Sequence, residues 1–264
     1  MSPLNPSQRE KFDHDGYLPL PGFLEGSPLI AKILEERDRL IAIFCHRTIR
    51  SIDSSIFQLS HHERGTLYRG LRYLPSVAKF ASDDVLLSLS RALGLRFPAI
   101  MRSYNIRMDL PGDEQHAFWW HQDISYLLGS LNSVTFWIPL STADAENGSV
   151  ELIPGSHRLG LLPVESTSGQ APQRSTILGP TALKLKIEPT GSRTILNARP
   201  GDLVVFSQFL VHRTYHNTSN AIRWTVQVRH SDLSERRFVE SGYPMGDLTN
   251  IFHTDYLNDS ANMV

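Results

Sequence analysis

The chain has 264 residues, long enough to bury a sizeable core and compatible with one or two domains. Hydrophobic residues make up 41% and charged residues 20%, as in an ordinary globular protein, so neither metal nor disulfide is needed merely to fold. A net charge of −1 gives no basic excess for nucleic acid, no apolar run is long enough to cross a bilayer, and the single Cys45 excludes an internal disulfide.

Residues 1–11 are polar and lack the charged start and apolar run of a signal peptide, so a cytoplasmic location is expected. The region 1–95 reads as helix-rich. Ile30, Ile33, Leu34, Leu40 and Ile43 recur near helical spacing and predict an amphipathic helix from Ser27 to Ile49. A second helical stretch is expected between Thr66 and Phe80. A third begins at the N-cap Ser82, with Asp83 and Asp84 in its first turn, and ends near Gly94. Basic groups at Arg64, Arg69 and Arg72 and at Arg236 and Arg237 read either as solvated helix faces or as receivers of an anionic substrate group.

From Pro98 the texture changes to short runs of β-branched and aromatic residues punctuated by Gly, Pro and Asn. Expected strands are Ile100–Leu110, Ala117–Trp120, Ser133–Leu140, Ser149–Ile153, Leu183–Ile187, Leu203–Ser207 and Ile222–Arg229. Pro111-Gly112, Asn147-Gly148, Pro154-Gly155 and Pro200-Gly201 mark turns. Residues Pro163 to Pro180 are polar and aperiodic and predict a long loop of the kind that serves as a lid or binding loop. No linker interrupts the chain, so 1–264 reads as one domain: helix-rich 1–95, a jelly-roll core over 96–232 and a C-terminal tail over 233–264. The fold class is mainly β with α, its N-terminal helices packed on one sheet of the jelly roll.

The chemistry is expected at Trp119-Trp120-His121-Gln122-Asp123. On a strand, residues two apart point to the same face, so an imidazole and a carboxylate there can reach one metal ion together. His212 ends the apolar run from Leu203 to Val211, which reads as strand, turn, strand, and can supply a third ligand. Two histidines and one carboxylate form the facial triad of non-haem Fe(II) oxygenases, leaving three positions open for a co-substrate and O2. A structural zinc site would close all four of its positions, usually with cysteines. An H-x-D tripeptide alone is weak evidence. Its context adds Thr214, Asn217 and then Arg223, eleven residues after His212, whose planar fork can grip a carboxylate two-pronged. His216 is the rival to His212, and the position of Arg223 favours His212. His116 lies five residues before His121 and would face the other side of a regular strand, at a pocket rim or the surface. His157 suits a turn or supporting contact, and His61 and His62 fall in a polar turn. Trp119 and Trp120 read as core, and Trp137 as core or pocket wall.

Four segments in order resemble the phytanoyl-CoA dioxygenase family of Fe(II)/2-oxoglutarate oxygenases. Phe12-Asp13-His14-Asp15-Gly16-Tyr17-Leu18 with Pro21-Gly22-Phe23-Leu24 resembles the family's opening helix and first strand, and Trp120-His121-Gln122-Asp123 its iron motif. Asn147-Gly148-Ser149 with Ile153-Pro154-Gly155-Ser156-His157 resembles its central signature. Pro200-Gly201-Asp202-Leu203-Val204-Val205-Phe206 with His212, Asn217 and Arg223 resembles its distal motif.

The resemblance implies a double-stranded β-helix, a cupin-like jelly-roll variant, with Fe(II), 2-oxoglutarate and O2 as cofactor and co-substrates. It implies that His121, Asp123 and His212 bind iron. Arg223 would hold the distal carboxylate of 2-oxoglutarate with help from Thr214, which stands where the family usually has serine. Thr135 and Trp137 would line the same pocket. Because Asp123 is present, hydroxylation or a related oxidation of an unactivated C–H is expected, not halogenation, with release of succinate and CO2. The expected substrate is a small-molecule metabolite of the natural-product, amino-acid, sugar or acyl class, and Arg69 and Arg72 would suit an anionic one. The alternatives are a non-catalytic jelly-roll protein and a metal-dependent cupin enzyme that does not use 2-oxoglutarate.

Overall fold

A computed structural model describes residues 2–45, 51–102, 104–113, 117–166, 183–186 and 188–247. Helix α1 (Pro6–Asp15) opens on a capping box, in which the Asn5 side chain accepts from the Gln8 amide and the Gln8 side chain caps the Asn5 N–H. It stops at Gly16, whose φ of 76° is the left-handed conformation that a side chain disfavours. The chain then runs directly into strand β1 (Tyr17–Leu20), as the opening segment predicts. Helix α2 (Pro28–Cys45) matches the start of the expected amphipathic helix, and residues 46–49 of that expectation lie outside the described residues. Then come α3 (Ile52–Phe57), α4 (His61–Leu71), α5 (Pro75–Ala81) and α6 (Asp84–Ala92).

Three expectations in this region need correction. The stretch from Thr66 to Phe80 is two helices, because Pro75 has no N–H to give an upstream carbonyl and forces Leu74 into an extended conformation (ψ 125°). His61 and His62 open α4 and do not lie in a turn. Ser82 caps the C-terminal end of α5, and Asp83 is the N-cap of α6.

The β region comprises β2 (Pro98–Ile100), β3 (Asn105–Asp109), β4 (Leu127–Leu128), β5 (Ser133–Pro139), β6 (Val150–Leu152), β7 (Val164–Ser166), β8 (Leu183–Leu185), β9 (Thr194–Ile195), β10 (Leu203–Ser207), β11 (His212–Thr214) and β12 (Arg223–Asp232). A short helix α7 (Arg236–Glu240) and β13 (Gly246–Asp247) follow. The expected strand Ile100–Leu110 is split in two, and the start of the expected loop at Pro163 carries β7, while 167–182 lie outside the described residues. The six-stranded major sheet has the order β1-β10-β5-β12-β2, with β3 also pairing β12. The minor sheet is β11-β6-β9. Two antiparallel sheets with helices on the outer face of one form the jelly-roll core.

Strand periodicity assigns each face of the major sheet. Val134, Phe136 and Ile138 of β5, Leu203 and Val205 of β10, and Trp224, Val226 and Val228 of β12 share one apolar cluster with Ile33, Ile41, Leu67, Val77, Phe80 and Leu86 of the helices. The intervening residues turn inward. Trp137, Val204 and Phe206 meet Val150, Leu152, Leu196 and Leu210 in a second cluster between the sheets. Arg223, Thr225 and Arg229 on β12 follow the same inward parity and are buried.

The expected strand Ala117–Trp120 is absent as regular structure. The Phe118 carbonyl accepts from the Thr214 amide (3.0 Å), and His121 and His212 exchange both backbone bonds (3.0 Å each). Trp119 and Trp120 together therefore face the single residue Arg213, which is a β-bulge. The extra residue throws Trp119 outward, 57% exposed, against the expectation of a core position, while Trp120 stays buried. Among the described residues no helix is long and apolar enough to cross a membrane.

His230 lies on the helix-facing side of β12 and ties that strand to the helices. Its Nε2 donates to Ala81 O (2.8 Å), since a carbonyl can only accept, so Nδ1 accepts from Ser90 Oγ (2.7 Å). Burial pushes its pKa below the ordinary imidazole value. As pH falls below about 6.5 the unfolded histidine takes a proton that the folded one refuses, so stability is lost in that direction. Thermal unfolding midpoints should fall between about pH 7.5 and 5.5, and His230→Gln should make the fall shallower. It should not abolish the fall, because burial also lowers His121 and His157. An unchanged slope in the variant would refute the assignment.

Candidate metal centre

Gln122 is extended (φ −113°, ψ 141°), so His121 and Asp123 emerge on one side, as the i, i+2 argument requires, even though Asp123 already begins a 3-10 turn, Asp123–Ser125. Gln122 points the opposite way and is fully buried. Its Nε2 donates to Gly160 O (2.7 Å) and Phe209 O (2.8 Å), and its Oε1 accepts from Leu162 N (2.8 Å). One amide thus fixes the segment between the two ligands and pins it to both flanking loops. His212 comes alongside through the backbone bridge to His121.

Carbonyl partners set the tautomers of the two rings. His121 Nδ1 donates to Trp119 O (2.7 Å) and His212 Nδ1 donates to Leu210 O (2.9 Å). Each Nε2 is left with a lone pair, and each lies 3.8 Å from Asp123 Oδ1. The three ligand atoms lie within 4.8 Å of one another, and all three residues are buried. Among the described residues this is the one such group. Burial first, and the neighbouring His212 second, push His121 down to about 3, so it offers a neutral nitrogen. Burial also works to raise the Asp123 carboxyl, but Arg229, the two imidazoles and the Thr135 hydroxyl outweigh it and hold the group below the usual carboxylate range. Two imidazole nitrogens and one carboxylate oxygen, converging and buried, are the donor set of an Fe(II) site with open positions.

Arg223 lies in the same cavity. It is 2% exposed and pairs through Nη2 with Asp109 Oδ2 (3.0 Å), yet its Nε and Nη1 have no partner among the described residues. Buried guanidinium N–H groups left without acceptors are costly, and a carboxylate bound in the cavity would satisfy them. Its guanidinium sits over the Trp137 ring (5.9 Å), and Trp137 and Thr214 line the cavity too.

The structure therefore brings together His121, Asp123, His212, Arg223, Trp137 and Thr214. Thr135 is placed differently from expectation: its hydroxyl donates to Asp123 Oδ2 (2.5 Å). His216 is exposed and stands outside the group. His116 lies outside the described residues. His157 makes a supporting contact, donating from Nε2 to Asp13 O (3.2 Å) against Gly16. Arg69 turns to Thr66 Oγ1 on its own helix (2.8 Å). The cavity also presents Arg107, Gln227 and Arg229, which the motif-based reading did not single out. For Gln227 and Arg229 the signal was present in β12, where Arg223, Thr225, Gln227 and Arg229 alternate with the apolar Trp224, Val226 and Val228.

Isothermal titration with Mn(II) should show one site that His212→Ala eliminates and His216→Ala preserves. The reverse pattern would move the third ligand to His216.

Comparison with known proteins agrees with this arrangement. The sequence profile described as phytanoyl-CoA dioxygenase (PhyH) matches residues 12–225. The chain is 27% identical to phytanoyl-CoA dioxygenase domain-containing protein 1 of Mus musculus, over 84% of this chain and 88% of that protein. EctD from S. alaskensis, solved with 2-oxoglutarate and 5-hydroxyectoine, superposes with a TM-score of 0.59 at 17% identity, covering 89% of this chain and 78% of that one. The epimerase SnoN, solved with Fe3+, alpha ketoglutarate and nogalamycin RO, gives a TM-score of 0.56 at 18% identity, covering 86% and 82%. The match to the family over most of its length makes this chain a member of the phytanoyl-CoA dioxygenase (PhyH) family and a 2-oxoglutarate-dependent non-haem iron dioxygenase.

Proposed function

We propose that His121, Asp123 and His212 hold Fe(II), that Arg223 and Thr214 hold the distal carboxylate of 2-oxoglutarate, and that the enzyme hydroxylates an unactivated C–H of a small-molecule metabolite. The observation that carries this reading is the convergence of three buried ligand atoms beside a buried arginine with two partnerless nitrogens. When bound, the iron would let O2 act as the oxidant, with 2-oxoglutarate supplying two electrons as it becomes succinate and CO2 and the substrate C–H supplying the other two. The protein's own residues do the rest. The Nδ1–H bonds to Trp119 and Leu210 aim the two imidazoles. Arg223 fixes one end of the co-substrate through charge-assisted hydrogen bonds, and the Trp137 ring walls its path. The buried setting of the triad keeps bulk water from the reacting centre.

A small substrate is supported by the ectoine product and the nogalamycin compound bound to the two structural neighbours. An anionic group on that substrate would meet a cavity wall that carries Arg107 and Arg229, each already paired with a carboxylate of the chain. We read residues 1–264 as one domain, supported by the apolar cluster that helices and major sheet share. The intact donor set argues against a non-catalytic relative. The orphaned Arg223 nitrogens argue against a cupin enzyme that does not use 2-oxoglutarate.

Adding Fe(II) and 2-oxoglutarate to metal-free protein without oxygen should produce a weak visible charge-transfer band that needs both additions. His212→Ala should remove it through loss of iron. Arg223→Ala should weaken 2-oxoglutarate binding by roughly tenfold or more, the loss expected for a charged hydrogen bond. Tight iron binding with no band would overturn the reading and favour an enzyme without this co-substrate.

A further inference from the structure

The two oxygens of Asp123 have different surroundings. Oδ1 faces both imidazoles, 3.8 Å from each Nε2. Oδ2 is taken by Thr135 Oγ1 (2.5 Å) and Arg229 Nε (3.1 Å), with Arg229 Nη2 reaching Oδ1 at 3.5 Å. Thr135 and Arg229 are direct cross-strand partners in the β5–β12 register, and both point inward. They are 1% and 7% exposed, so neither contact competes with bulk water. Arg229 is steadied in turn by Gln227 Oε1, which accepts from its Nη2 (3.2 Å). Sheet register therefore fixes the spacing of two donors aimed at one oxygen.

A metal-bound carboxylate can use one oxygen or two. With two, the triad would fill four positions of an octahedral ion, a chelating 2-oxo acid would fill the rest, and no position would be left for O2. An oxygen already accepting two hydrogen bonds, one of them from a cation, is held away from that role. We propose that Thr135 and Arg229 are positioning residues that commit Asp123 to binding the metal through Oδ1 alone, so that a position stays open after 2-oxoglutarate has bound. The proposal rests on the iron site assigned above and gives Thr135 a task distinct from lining the 2-oxoglutarate pocket.

The test loads metal-free protein with Mn(II) and 2-oxoglutarate and measures water-proton relaxation, which reports exchangeable water on the ion. Wild type and Thr135→Ser should both show a contribution from one coordinated water. In Thr135→Val, and further in Thr135→Val combined with Arg229→Gln, the released Oδ2 should occupy that position and the contribution should be lost. Circular dichroism and thermal melts identify any variant that fails to fold, and Thr135→Ser supplies the hydroxyl in a folded background. Wild-type relaxation in the folded double variant, or a Thr135→Ser protein that behaves like Thr135→Val, would overturn the proposal. If wild type bound no Mn(II), the iron-site assignment itself would fail and take the proposal with it. Mn(II) binding with no response to 2-oxoglutarate would do the same through the co-substrate.

Discussion

The site depends on the two-residue periodicity of three neighbouring strands. On β5, β10 and β12 every second side chain enters the apolar cluster under the helices. That burial fixes which way the strands face, because a slip of one residue would turn the whole apolar set outward. The alternate positions are thereby committed to the space between the sheets, whatever they carry. On β5 they are Thr135 and Trp137, and on β12 they are Arg223, Thr225, Gln227 and Arg229. Among the described residues the helical layer supplies none of the three converging ligand atoms, yet by anchoring the apolar face it aims the polar one.

Placing that much charge between two sheets is costly unless each charge finds a partner. Asp109 answers both Arg107 (2.6 Å) and Arg223 (3.0 Å). Asp123 answers Arg229 (3.1 Å). Within this network Arg223 stands out, since one carboxylate shared with Arg107 leaves two of its nitrogens unsatisfied. A structural ion pair would have been saturated. This incompletely satisfied buried guanidinium is the feature from which we propose that a carboxylate ligand completes the network.

Much of this was legible in the sequence, and the failures have identifiable causes. The triad could be read because H-x-D on an extended backbone and an apolar run ending in histidine are local patterns. Arg223 could be read because its distance from His212 along the chain is fixed by a short connection between strands. The partners of Asp123 were not read from spacing. Arg229 lies 106 residues away in sequence, and only the β5–β12 register places it opposite Thr135. The exposure of Trp119 also escaped, because a bulge is created by a mismatch in length between two paired segments, and neither segment reveals it alone. At Pro75 the error was different: apolar spacing carries on through the break between α4 and α5, and the proline rule should have outweighed it.

The bulge and the buried Gln122 together explain how a loop-like segment can hold the two proposed metal ligands His121 and Asp123 in fixed geometry. Regular pairing at Phe118 and at His121 brackets the two tryptophan positions that face Arg213, so the irregularity is confined between two clamped points. The bulge also leaves the Trp119 carbonyl free of the ladder, and His121 Nδ1 uses it as the acceptor that sets its tautomer. Beyond His121, the three hydrogen bonds of Gln122 replace the ladder that the backbone no longer makes. Asp123 is then fixed at its far oxygen by the major sheet, while His212 belongs to the minor one. The centre therefore bridges the two sheets, and its geometry is held by the same packing that holds them together.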